Sequence, residues 1–194
     1  MKVLQVSKFY PPHVGGIEAV ARDLSAGFVR HGLQVEVLCA HQRARVSDER
    51  DALGVRITRA GSLGLLLSTS MAPGMLWQLW RRRRAADVVH VHMPDPMAAL
   101  AVFVARPRAK LVLHWHSDVV RQRLARRLYA PLERWLLRRA DAVALASRGE
   151  ETTALRRQLA GAAALPGQGG RDPDRRAGTA AGGPGARGAR PPAP

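Results

Sequence analysis

Two prolines followed closely by two glycines, set between a strand and a helix, constrain the fold more than any other feature of this chain. Lys2 to Ser7 (KVLQVS) is short and mostly apolar, the pattern of a strand buried in a parallel sheet. Pro11 and Pro12 lack the N–H that a ladder needs, so the strand cannot continue and the chain turns. Ile17 to Arg30 then reads as a helix, with Ile17, Val20, Ala21, Leu24 and Phe28 spaced for one face. Gly15 and Gly16 sit at the junction. Without Cβ atoms they can take unusual φ values, and their N–H groups can approach an anion closely. The positive end of the helix points at whatever they hold. A tight turn is the simpler role for a Gly-Gly pair, but its place after the first strand favours a phosphate cradle. The pair is not the GxGxxG of dinucleotide folds, so a nicotinamide cofactor is disfavoured.

The rest of the chain alternates. Leu33 to Cys39 and Gly54 to Thr58 predict the second and third strands, separated by a charged loop from Gln42 to Asp51. Ser62 to Ser70 is leucine-rich and ambiguous. Pro73 to Ala86 predicts a helix with Met75, Leu76, Leu79 and Trp80 on one face. Asp87 to His92 predicts a fourth strand, Asp95 to Ala105 a helix, and Lys110 to His116 a fifth strand. A helical stretch from about Val119 to Arg139, kinked at Pro131, leads to a sixth strand from Asp141 to Ser147. This alternation predicts an α/β class: a Rossmann-like, doubly wound parallel sheet whose ligands lie at the strands' carboxyl ends.

After about Ala160 the chain changes character. Residues 161–194 are almost entirely Gly, Ala, Pro and Arg, with Leu165 the one large apolar side chain, and cannot bury a core. A disordered tail is expected there. GC-rich coding sequence read in a shifted frame yields the same letters, which favours a frameshifted or truncated gene product.

Composition bounds the partners. The chain of 194 residues is 46% hydrophobic, ample for a core, yet no window is apolar for long enough to span a membrane. The N-terminus shows no signal-peptide pattern, so a cytoplasmic location is expected. Cys39 is the single cysteine and reads as a small buried hydrophobe. A formal net charge of +16 calls for an anionic partner or surface. Nucleic acid is disfavoured, because aromatics interleaved with the charge are scarce at 5%. Arg81, Arg82, Arg83 and Arg84 stand beside Trp77 and Trp80, and Arg123 and Arg127 belong to a second arginine-bearing helix. Both suit peripheral attachment to an anionic bilayer, on the inner face of the plasma membrane.

The candidate chemistry clusters at strand ends. His114-Trp-His-Ser-Asp118 closes the fifth strand, and period-two alternation puts His114 and His116 on the same side. His116 can hydrogen-bond a sugar hydroxyl or a phosphate oxygen, while Ser117 and Asp118 would begin the next helix as caps or ligand contacts. His92 ends the fourth strand as a further candidate contact, and His13 and Glu18 flank the glycines. Glu18 also suits the helix dipole without any ligand. His90 and His92 form an HxH pair that can bind zinc, but no cysteine or carboxylate array stands at metal spacing, so no metal is expected.

Four segments in order, FYPPHVGGIE, HVHMPDP, LVLHWHSDVVRQR and LYAPLERWLLRRADAVALAS, resemble the N-terminal domain of glycosyltransferase family 4 enzymes of GT-B fold. The resemblance covers residues 1 to about 158. It implies transfer of a sugar, with retention of configuration, from a nucleotide-sugar donor such as a UDP- or GDP-sugar to a glycan or lipid-linked acceptor. No obligatory metal or other cofactor is implied. It implies that Gly15 and Gly16 bind near the donor diphosphate and that His116 is the catalytic residue beside the transferred sugar. In that family a C-terminal domain supplies most of the nucleotide site; the sequence shows none, so the chain alone is expected to be inactive. A noncatalytic basic module binding anionic lipid or phosphate is the alternative.

Overall fold

The structure is a computed structural model that describes residues 1–66, 69–116 and 123–145, with backbone alone for 123–128. The chain divides into two units, 1–164 and 165–194, and every described residue lies in the first. The tail beyond 160 therefore lies outside the described residues, as do Ser117 and Asp118 and the side chains of Arg123 and Arg127.

Six of the strands follow from apolar runs: β1 (Lys2–Ser7), β2 (Gln34–Ala40), β4 (Arg56–Ala60), β7 (Val88–Met93), β8 (Lys110–Trp115) and β9 (Ala142–Leu145). All six pair in parallel, and with β3 (Ser47–Arg50) they make a seven-stranded sheet in the order β3-β4-β2-β1-β7-β8-β9. The chain moves from β1 outward through β2 to β4, then returns to the other side of β1 with β7. The topological switch point therefore lies between β1 and β7.

Strand β3 corrects the expectation of a plain charged loop from Gln42 to Asp51. Its sequence, SDER, carries no apolar signal, but it runs antiparallel to β4 at the sheet edge, where charge is tolerated. Cross-strand pairs hold it: Glu49 accepts from Arg59 Nε at 3.0 Å, and Arg56 lies 3.5 Å from Asp48. Asp51 closes the hairpin by accepting from the amides of Leu53 and Val55, both at 2.9 Å, and Gly54 turns there with φ 77°. The ambiguous leucine-rich segment holds two short antiparallel strands, β5 (Leu65–Leu66) and β6 (Thr69–Ser70).

Among the described residues four helices accompany the sheet: α1 (Gly16–Arg30), α2 (Gly74–Arg82), α3 (Pro96–Ala105) and α4 (Arg123–Arg139), the last containing Pro131. Asp95 caps α3, its carboxylate accepting from the amides of Met97 at 3.0 Å and Ala98 at 3.3 Å, with Pro96 in the first turn. The main core lies on the sheet face covered by α2, α3 and α4, where Leu4, Val6, Val89, Val91, Leu111 and Leu113 meet Met75, Leu79, Val102 and Leu136. Each such side chain contributes about 1.5–3 kcal/mol by burial.

The opposite face differs. Under α1 a smaller cluster of Tyr10, Ala21, Val37, Cys39 and Ile57 covers one side, and the strip from β1 to β8 is polar: Gln5, His90, His92 and His114. This explains why the buried line of α1 is Glu18, Ala21 and Ser25, with the expected apolar residues Ile17, Val20, Leu24 and Phe28 only partly buried.

Candidate functional site

Open α/β sheets bind ligands outside the carboxyl ends of the strands, at the switch point. Here that crevice is bordered by the loop after β1, which carries His13, Gly15 and Gly16, and by the ends of β7 and β8, which carry His92 and His116.

The glycine loop is not strained. Gly15 precedes α1 with φ −179° and ψ 164°, extended backbone open to any residue, and Gly16 is not among the positive-φ glycines. The expected need for unusual φ is thus absent, and what these glycines supply is bareness. A Cβ on Gly16 would meet nothing within 4 Å, whereas one on Gly15 would stand 2.1 Å from Glu18 Oε2. Glu18 thus folds its carboxylate back over the start of its own helix, where the dipole favours it. Gly15 and Gly16 add no side chain of their own at the first turn of α1, where the Glu18 carboxylate already lies against Gly15.

Two side chains from elsewhere brace this loop. Gln42 Nε2 lies 2.8 Å from His13 Nδ1, and the His13 ring packs on Phe9 with centroids 4.3 Å apart. Arg59, buried at the end of β4, donates through Nη1 to the Tyr10 carbonyl at 3.0 Å and through Nη2 to the Pro11 carbonyl. Neither brace is legible in sequence, because nothing in a lone arginine on a strand says that it points at a loop some fifty residues away.

On the other side of the crevice four imidazoles lie together. His90 and His92 alternate on β7, His114 on β8, and His116 directly follows β8. His92 Nδ1 is 2.9 Å from His116 Nε2, and His92 Nε2 is 2.8 Å from Gln5 Oε1 on β1. The His114 and His116 rings stack with centroids 4.4 Å apart. Burial lowers every one of them below the ordinary histidine range, with neighbouring imidazoles adding to the effect: His90 and His116 fall to about 4 and His92 to about 2, while His114 is lowered by burial alone. The cluster is neutral at pH 7. Asp95, two residues beyond β7, is pushed up to about 6 by burial, partly offset by the amides it caps.

His92, His114 and His116 are also the residues that could hold a cation, since one nitrogen from each lies within 4.8 Å of the others. The arrangement is poorly prepared for it. A metal lies in the plane of every imidazole that ligates it, and the His114 and His116 planes are only 6° apart. Those two rings would have to rotate, and His92 Nδ1 is already engaged by His116.

The arginines separate in their roles. Arg82 turns inward, with Nη2 donating to Thr58 Oγ1 at 2.9 Å and Nε 3.6 Å from Glu36, so it is a structural group rather than part of the expected surface. Arg81 and Arg83 lie over the indoles of Trp77 and Trp80, at 5.9 and 4.2 Å from the ring centroids. Those indoles stack at 5.2 Å and remain 55% and 42% exposed, so Trp80 does not join Met75 and Leu79 in the core. Arg84 borders a separate shallow groove with Asp87, Arg108 and Lys110.

Sequence reasoning missed Gln5, Ser25 and Arg59, which hold the site from behind. The available signal was a glutamine in the middle of an apolar strand, which must find partners once buried.

Residues 15–165 match the glycosyl transferase 4-like domain. The chain is 30% identical over 153 residues to the O-antigen chain mannosyltransferase C of Escherichia coli, covering 76% of this chain and 40% of that protein. It is 32% identical over 152 residues to the D-rhamnosyltransferase WbpZ of Pseudomonas aeruginosa, covering 76% of this chain and 39% of that one. The chain thus spans about two fifths of the length of these curated relatives. Among solved structures, the sucrose-phosphate synthase of Thermosynechococcus elongatus superposes with a TM-score of 0.60 at 16% identity, covering 80% of this chain and 44% of that one, a likeness of fold. With its Rossmann-like sheet, and with more than half of its length matched by the family model, this chain belongs to the glycosyl transferase 4-like domain family.

Proposed function

We propose that this chain is the acceptor-side domain of a retaining glycosyltransferase that passes a sugar from a UDP- or GDP-sugar to a glycan or lipid-linked acceptor. The observation that most supports this reading is that Gly15 and Gly16, at the start of α1 after β1, and His116, which follows β8, belong to strand ends on the two sides of the switch point, with His92 buried behind His116. The diphosphate would lie on the glycines and the start of α1, with the sugar towards His116 and with His13 and Glu18 at its margin. No metal or other cofactor takes part in this reading. A departing diphosphate needs preorganised positive charge around it, and one wall of a cleft offers half of that at best. The 194-residue chain by itself is therefore expected to transfer no sugar, which a product assay over a panel of nucleotide sugars checks.

The test of the site is an amide titration of the chain with UDP, GDP and pyrophosphate. Shifts concentrated at Gly15 to Ile17, and extending to His116 when a UDP- or GDP-sugar replaces the bare nucleotide, support the reading. An unchanged spectrum at millimolar ligand, or shifts confined to other regions, would reject it.

A second property accompanies this one. Two exposed indoles with guanidinium groups over their faces, on a strongly basic chain, suit the interfacial zone of an anionic bilayer. Attachment there, on the cytoplasmic side, would bring a lipid-linked acceptor to the crevice.

A further inference from the structure

Behind His116 a continuous line of hydrogen bonds runs along the α1-covered face of the sheet to α1. Ser25 Oγ donates to the Ala21 carbonyl at 2.9 Å, and Gln5 Nε2 lies 2.8 Å from Ser25 Oγ and 3.4 Å from the same carbonyl. Gln5 Oε1 meets His92 Nε2 at 2.8 Å, and His92 Nδ1 meets His116 Nε2 at 2.9 Å. Every link except the last is buried, and Gln5 and Ser25 have no exposed surface.

The direction of this line is decided at its inner end. A carbonyl is an acceptor only, so the Gln5 group nearest Ala21 is the amide N–H. The reverse orientation would set two oxygens 3.4 Å apart with no proton between them, and Ser25 would have to leave the Ala21 carbonyl to satisfy Gln5. With the amide so fixed, Gln5 Oε1 is the acceptor, and His92 Nε2 must carry a proton. A neutral imidazole has one N–H, so His92 Nδ1 is a lone pair and His116 Nε2 is the donor to it. His116 Nδ1 is then also a lone pair, and among the described residues it has no partner.

We propose that Gln5, Ser25 and His92 are positioning residues which hold His116 with its proton on Nε2, so that the ring offers Nδ1 as an acceptor to a donor-sugar hydroxyl rather than an N–H to a phosphate. The proposal rests on His116 being the donor contact, and it narrows what that contact recognises. An acceptor nitrogen pairs with a hydroxyl and repels a phosphate oxygen, which leaves the diphosphate to Gly15 and Gly16. Burial that keeps all these rings neutral at pH 7 is in accord with it.

Nitrogen-15 spectra of the imidazoles in the free chain at pH 7.5 test the relay without any ligand. We expect protonated Nε2 and bare Nδ1 on both His92 and His116, and a scalar coupling across the hydrogen bond between His92 Nδ1 and His116 Nε2. Gln5→Met keeps the shape but removes the acceptor; the coupling should vanish and the His116 Nε2 proton should exchange rapidly with water. Gln5→Glu restores an acceptor and should restore both signals. A proton on Nδ1 of either ring in the unmodified chain overturns the proposal whether or not the variants fold, as does a coupling that survives in Gln5→Met. A chain that shows the expected tautomers but no shift at His116 with a UDP- or GDP-sugar rejects the donor contact and leaves the relay. Binding with a protonated Nδ1 rejects the relay alone.

Discussion

Arg59 Nη1 donates to the Tyr10 carbonyl at 3.0 Å, so a side chain on β4 holds the loop that leaves β1. The same guanidinium binds the Pro11 carbonyl and the Glu49 carboxylate, which ties the antiparallel edge of the sheet to the glycine loop. Arg59→Lys keeps the charge but cannot form this fork. Leaving buried carbonyls unpartnered should cost about 1–3 kcal/mol in urea unfolding. Amides from His13 to Gly16 should exchange faster with solvent, and equal exchange in both proteins would show that the loop needs no brace.

The imidazole cluster makes stability depend on pH. The unfolded chain takes up protons on these rings below about pH 6.5, whereas folded His90 and His116 resist until about 4 and His92 until about 2. Their contribution is therefore complete above pH 6.5 and is lost as the pH falls through that value towards 4. For His90 alone the shift corresponds to about 3 kcal/mol. Asp95 works in the opposite direction, since its raised value favours the folded state as the pH falls below about 6, but it is one group against four. Urea midpoints should drop steeply between pH 7.5 and 5, and His90→Leu should flatten that slope.

The parallel strands were legible because burial on both faces forces apolar runs, as in VVHVHM and KLVLHW. Strand β3 was not, since an edge strand made of SDER is held by ion pairs with β4 that appear only once the hairpin forms. The strand-end position of His116 could be read from alternation, but not its hydrogen bond to His92, which depends on β7 and β8 being neighbours in register. Arg81 to Arg84 look alike in sequence; helical geometry alone sends Arg82 towards Glu36 and leaves Arg81 over an indole.

Gly15 and Gly16 should respond differently to alanine. At Gly16 a Cβ meets nothing within 4 Å, and alanine is the better helix former, so Gly16→Ala should change stability by no more than about 1 kcal/mol. The added methyl would still crowd a phosphate, weakening GDP or UDP binding by about tenfold, or about 1.4 kcal/mol. Gly15→Ala must displace Glu18 Oε2, 2.1 Å from the new atom, and should lower the melting temperature as well. Thermal melts with calorimetric titration of each variant separate these effects, and unchanged affinity in Gly16→Ala would remove the glycines from the phosphate site.

The membrane reading can be tested against Arg82 as an internal control. Trp77 and Trp80 are exposed and stack with each other, with Arg81 and Arg83 over them. Replacing Arg81 and Arg83 together by alanine should remove about 1 kcal/mol of surface attraction per charge, roughly a thirtyfold loss of binding to anionic vesicles for the pair. Trp77→Ala with Trp80→Ala should weaken binding at all salt concentrations, because that contribution is not screened. Arg82→Ala should act on the fold instead, since it breaks the bond to Thr58 and leaves Glu36 short of a partner. Cosedimentation with anionic and neutral vesicles across a salt series, alongside urea unfolding, distinguishes the two classes. If Arg82→Ala loses vesicle binding at unchanged stability, or if the double arginine variant binds as before, this face is not the membrane contact.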